Sequence, residues 1–235
     1  MSNDGLYTDR YNNEVSLVEL MKDKNDAEKK AIRYFYGIAE GGCFSKKYVT
    51  DDEYLSLVAD QVGSLESRKA QALKKLGLDE DQVQEIPPVG FQGFAFLAGE
   101  LKGIERDNVR FTENGKVVTA TKELTWLFFG DEQIFVYKAR VDMVDHALRS
   151  EKTQEYFYKD VTAFSTESDS HKEKVPVFTK GCGSSTVEYK DRAVESEKFR
   201  IVVPGEVFTT AISPEDDNES KISAMKQKLR EKKNN

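Results

Sequence analysis

Cys43, Cys182, His146 and His171 are the chain's only thiols and imidazoles, the groups best suited to nucleophilic or acid–base chemistry near neutral pH. A nucleophilic cysteine needs a base within hydrogen-bond reach, so any such centre would have to pair two of these four residues. Cys43 lies in GGCF and Cys182 in KGCGSS, while the histidines lie in the polar runs VDHALRSEK and SDSHKEK. Read as connectors, those runs leave both imidazoles solvated, without the prepared environment that a catalytic pair needs. There is no CxxC and no nearby histidine pair, so a zinc set is missing, and two distant cysteines do not make a disulfide scaffold. The sequence therefore predicts no catalytic, cofactor-binding or metal-ligating residue, no cofactor, and a protein that is not an enzyme, with an enzyme using Cys43 or Cys182 as a lesser alternative.

The remaining polar clusters have simpler explanations. KGCGSS lacks the GxxxxGK[ST] spacing of a phosphate-binding loop, and no helical run follows it to supply a dipole, so it reads as a tight β-turn. The acidic triplets at 51–53, 79–81 and 215–217 lack the alternating oxygen-ligand spacing of a calcium loop. Each stands where a helix begins, where carboxylates complement the helix dipole. Tyr156, Phe157 and Tyr158 suggest a stacking platform for bases, but Glu155, Asp160, Glu167 and Asp169 beside them repel phosphate. Cross-strand packing is the better account. In the tail KISAMKQKLREKKNN, residues Lys226, Lys228, Arg230, Lys232 and Lys233 offer an anionic-lipid contact, or simply cations at the negative end of a helix. The second reading is preferred.

These side chains would be positioned by a chain of 235 residues, enough for one large or two modest domains with a real core. A charged fraction of 33% against 38% hydrophobic residues implies a heavily solvated surface, and 11% aromatic content argues against disorder. A net charge of −7 argues against a nucleic-acid-binding body. MSNDGLYTDRYNNE has neither the basic start nor the apolar core of a signal peptide, and no run reaches the roughly 20 apolar residues that span a bilayer. A reduced cytoplasmic location is expected.

Helical spacing of Leu17, Leu20, Met21, Ala27, Ala31, Tyr34, Phe35 and Ile38 predicts one helix over 14–39, stopped by Gly41-Gly42. Thr50 or Asp51 with Glu53 caps a second helix carrying Tyr54, Leu55, Val58 and Val62, and Ser64 caps a third that ends at Gly77. Ile86-Pro87-Pro88 then forbids helix and begins a β pattern. Val89–Leu97 reads as a strand whose glycines mark a bulge or a close backbone approach. Asn114-Gly115 and Gly130-Asp131 are hairpin turns. LTWLFFG, DEQIFVYKARVDM and TQEYFYKDVTAFST are aromatic and β-branched runs. In the second run Phe135, Tyr137, Ala139, Val141 and Met143 share a face, while the other turns polar at Lys138, Arg140 and Asp142, as in a strand entering water. Short strands at 175–180 and 186–190 flank Gly181-Cys182-Gly183. Pro204-Gly205 turns 199–203 into 207–212, and a closing helix carries Ile222, Met225 and Leu229 on one face.

Antiparallel hairpins closed by one amphipathic C-terminal helix resemble the pleckstrin-homology-like (PH-like) superfold over about residues 89–233. GLDEDQV, TWLFF and EYFYKDVTAFST are similar to motifs of an uncharacterised group of cytoplasmic proteins from low-GC Gram-positive bacteria. The resemblance implies an α+β chain. Residues 1–87 would form a helical N-terminal unit and 88–235 a PH-like antiparallel β-barrel or sandwich, the latter folding without the former. It departs from phosphoinositide-binding members, because Lys102, Arg106, Arg110 and Lys116 alternate with Glu100, Glu105, Asp107 and Glu113. The one tryptophan, Trp126, lies in a strand instead of the closing helix. The expectation is a non-enzymatic cytoplasmic binding or scaffolding module acting through protein–protein interaction or self-association. It has no nucleic-acid partner and no identified small-molecule substrate. The alternative is a peripheral anionic-lipid-binding module acting through the basic C-terminal helix.

Overall fold

The computed structural model describes residues 7–8, 14–41, 45–63, 65–83, 86–94, 109–145, 149–180, 185–212 and 218–234. The fold is α+β with antiparallel sheets. Two short strands, β1 (Tyr7–Thr8) and β2 (Glu14–Val15), precede α1 (Leu17–Leu20) and α2 (Asp26–Tyr36). The single helix expected over 14–39 is thus broken. Asp23 adopts φ 58°, and Asn25 opens a new helix by a reciprocal capping box with Glu28, its side chain accepting from the Glu28 N–H at 2.9 Å. The stop lies at Gly37, φ 63°, before the expected Gly41-Gly42. In α3 (Asp51–Val62) the Thr50–Glu53 capping box forms as expected, and α4 (Leu65–Leu76) ends where Gly77 takes φ 68° and the Leu78 N–H donates to the Leu73 carbonyl.

Beyond a 3₁₀ turn at Glu80–Val83 come β3 (Ile86–Phe94), β4 (Val109–Phe111), β5 (Val117–Thr119), β6 (Thr121–Phe129), β7 (Gln133–Asp142) and β8 (Ser150–Phe157). A 3₁₀ turn at Tyr158–Asp160 then splits the expected third run before β9 (Ala163–Lys180). β10 (Ser185–Val203), β11 (Glu206–Ile212) and α5 (Asn218–Asn234) complete the chain. One sheet has the order β3-β6-β7-β8 and another β11-β10-β9, with β4-β5 a separate hairpin. The sheets remain apart and do not close into a barrel.

The four-stranded sheet is the middle layer, and both its faces are covered. Leu124 and Val141 join Ala31, Phe35, Tyr54 and Val58 of α2 and α3, while Trp126, Phe128, Tyr137 and Ala139 join Ala72 and Leu73 of α4. On the other face Phe91, Leu127, Ile134 and Val136 meet Phe199, Ile201 and Phe208 of the second sheet and Ile222, Met225 and Leu229 of α5. The helices before the Pro-Pro boundary therefore share a core with the strands after it. Asp142, expected in water, is 1% exposed; it accepts from the Thr121 hydroxyl and from the Val144 and Asp145 N–H groups.

The short hairpin expected around 181–183 belongs to a much longer one. β9 and β10 pair without interruption from Ala163↔Val202 to Ser185↔Lys180. His171, read as part of a connector, is a β9 residue opposite Val194.

Candidate functional site

β11 runs across the four-stranded sheet instead of along it. At its start Glu206 accepts from Gln154 of β8; at its middle the Thr209 carbonyl accepts from Lys138 of β7. Farther on, the Thr210 hydroxyl meets Thr125 of β6 at 2.7 Å, and Ala211 lies against Gly93 of β3. A Cβ on Gly93 would stand 2.9 Å from the Ala211 carbonyl carbon, so the glycine permits the crossing. This is the close backbone approach expected of VGFQGFAFL.

The crossing divides the sheet's inner face. On one side lies the apolar core. On the other lies a polar shelf, a cleft of about 370 Å³ whose lining includes Glu123, Lys138, Arg140, Ser150, Lys152 and Glu206. At its floor Glu123 is 6% exposed, paired with the Lys138 ammonium at 2.9 Å. Glu123 Oε1 accepts from the Ala211 N–H at 3.1 Å, and Lys138 Nζ donates to the Thr209 carbonyl at 2.8 Å. β11 is an edge strand, and these outward backbone groups would otherwise be unpaired. The ion pair thus seals the β11 edge with side chains borrowed from the other sheet. At the rim Lys152 approaches Glu206 at 3.7 Å, and burial together with the Glu206 charge pushes the neighbouring Tyr156 phenol up to about 12. The shelf offers charge and hydrogen bonds.

A second polar cluster fixes the helices to the sheet. Glu151 of β8 accepts from Tyr137 at 2.8 Å and Gln71 at 2.5 Å, and it pairs with Lys75 at 2.9 Å. The Lys75 ammonium, aided by the Tyr137 hydroxyl, holds the Glu151 carboxyl below the usual carboxylate range. A third cluster joins α2 and α3 to the β4–β5 hairpin. Tyr34 stacks on Tyr54 with ring centroids 4.2 Å apart, Arg110 covers Tyr34 at 4.3 Å, and Tyr34 donates to Asp51 at 2.8 Å.

Among the described residues, those singled out for chemistry are not assembled into one place. Cys43, Cys182, His146 and the acidic residues 215–217 lie outside the described residues, as do Lys102 and Arg106. Asp51, Asp52 and Glu53 occupy the first turn of α3, and Glu80 and Asp81 that of the 3₁₀ turn. Tyr156 and Tyr158 are buried, the latter donating to the Gly130 carbonyl, while Phe157 is 44% exposed beneath Lys159. The three rings therefore form no platform. In α5, Lys226 reaches the Thr166 hydroxyl at 3.2 Å and Arg230 is exposed. Among the described residues no group of three or more His, Cys, Asp or Glu could hold a metal ion, and no described helix is long and apolar enough to cross a membrane. Glu123 was not singled out from sequence, although a glutamate inside TKELTWLFF is a signal in itself. No family model, curated protein or solved structure matches this chain.

Proposed function

We propose that the chain is a non-enzymatic, cytoplasmic binding or scaffolding module of PH-like arrangement whose partner is another protein or a second copy of itself. The order of elements supports the arrangement: a four-stranded antiparallel sheet, a three-stranded one, and a closing helix packed over one end of the space between them.

The observation that carries the binding reading is the length of the β9–β10 hairpin. β11 pairs with β10 only over Glu197–Val203. From Asp169 to Lys180, and from Ser185 to Ser196, β9 and β10 pair only with each other among the described residues. A two-stranded ribbon is marginally stable alone in water, and its unpaired backbone is a template for a further strand. The β11 edge is closed by Glu123 and Lys138, while on the ribbon Arg192 of β10 lies over the Phe111 ring of the β4–β5 hairpin at 5.0 Å. The lipid alternative is weaker, because the apolar face of α5 is spent on the core and leaves nothing to insert into a bilayer.

The test is to remove 171–194 and join Ser170 to Glu195, which are paired, by an Asn-Gly turn. The shortened chain is expected to melt like the full chain yet lose self-association in light scattering, or lose a partner captured from native cytoplasm. Unchanged association or capture by the shortened chain would sink the proposal.

A further inference from the structure

Away from the polar shelf, α2, the segment leading into α3, and α3 itself enclose a cleft of about 530 Å³. Lys29, Lys30 and Arg33 line it from α2, at the three- and four-residue spacings that put side chains on one helix face. Lys47 enters from the other side, held there by a two-way backbone bridge to Glu40 at 2.8 Å in each direction. Tyr48 and Val49 provide a less polar wall.

The carboxylates of this cleft are Asp26, Glu40 and Glu53, and two of them are already engaged. Glu40 pairs with Arg33. Glu53 pairs with Lys47 at 3.1 Å and closes the α3 capping box through the Thr50 N–H. Asp26 stands at helical spacing from Lys29 and Lys30, yet no ion pair joins it to either among the described residues. Four cations thus converge on a concave site in a chain whose net charge is −7. Glu53 also feels the Lys30 charge, and with Asp26 in the same lining the four cations exceed the three carboxylates by one, while Lys29 and Lys30 join no ion pair among the described residues.

We infer that this cleft binds a small multiply charged anion, a phosphate monoester or a pyrophosphate, with Lys29 and Lys30 as its principal contacts. Lys47 and Arg33 flank the anion while keeping their carboxylates. Tyr48 and Val49 pack against the organic part of an ester. The volume falls within the range of small-molecule pockets. Lysine suits a compact oxyanion, as a flexible point charge with three donors.

The experiment is titration calorimetry of the full chain with inorganic pyrophosphate at constant ionic strength, repeated with the Lys29→Gln/Lys30→Gln double variant and with Lys152→Gln as a control at the other cleft. Both lysines are partly exposed, so a thermal melt is expected to show the double variant folded. The expected result is saturable binding that weakens about tenfold or more in the double variant and is unchanged in the control. A parallel arm uses vesicles containing phosphatidic acid. Pelleting that depends on Lys29 and Lys30 would place the phosphate on a lipid, and binding in solution alone would place it on a free metabolite. Equal heats for wild type and double variant, or no binding in either arm, would overturn the inference.

Discussion

When Glu123 is replaced by Ala, Lys138 keeps its place beneath β11 but loses its counter-charge, and the Ala211 N–H loses its acceptor. The expected cost is about 3 kcal/mol, the range found when one partner of a buried pair is removed. Replacing Glu123 and Lys138 together by Leu and Met should cost less than the sum of the single changes, because no charge is stranded. Urea midpoints of the two single variants and the double variant check this. Gly93→Ala places a methyl against the backbone of Ala211 and Ile212, which cannot rotate away, and should destabilise by about 1–3 kcal/mol. Glu151 sets a pH dependence. Its carboxyl is depressed in the folded protein, so its contribution is fully present above the unfolded pKa of about 4.3 and is lost as pH falls through the lower folded value. Glu151→Gln should therefore flatten the loss of stability on the acid side of about pH 4.3, as followed by denaturant melts across the acid range.

The elements that could be read from the sequence are those whose two sides differ. In α5 the spacing of Ile222, Met225 and Leu229 marked the buried stripe, and all three lie in the core between the sheets. Leu229, fully buried, should cost about 2–5 kcal/mol when cut to Ala, and an unchanged urea midpoint would mean an undocked helix. The Thr50 and Gly77 helix ends were legible because their chemistry is local. The tip of the β9–β10 ribbon was legible as well, since 175–180 and 186–190 read as strands and are paired, but the middle of the ribbon was not. Ser170, Lys172 and the run Lys190–Ala193 are all exposed, so neighbours of opposite parity meet the same solvent and leave no period-two pattern to detect. The α1–α2 break was missed for the opposite reason. Its apolar spacing carries across Met21–Asn25, while the Asn25–Glu28 capping box that starts α2 depends on one polar side chain finding one N–H. The polar shelf was half visible: Lys138 and Arg140 announced a polar strand end, but only the crossing of β11 explains Glu123.

In the whole molecule, the change from helices to strands at Ile86–Pro88 is not a break in the core. A fragment of residues 88–235 would bare Leu124, Trp126, Phe128, Tyr137 and Val141 on the sheet face that α2, α3 and α4 now cover. At about 1.5–3 kcal/mol for each large side chain, that loss rivals a typical domain's entire stability. The expected outcome is an insoluble product or a melt without a cooperative transition, opposite to the independence that the Pro-Pro boundary implied; a sharp reversible melt would restore two autonomous units. Vesicles of phosphatidylserine test the other global property. With its apolar face in the core, α5 should give no robust pelleting at about 0.15 M salt. The crossing strand also has a consequence for synthesis. Translation proceeds at about 5–20 residues per second from the N-terminus, so the helices and β3–β8 emerge first and are able to stack as two layers. Phe208, Ile212 and the α5 stripe, which roof the opposite side of that sheet, are made after every other strand. A nascent chain still lacking Glu206 onward carries Leu127, Phe129, Ile134 and Val136 without that roof, and ribosome-associated chaperones would find their strongest foothold on it there.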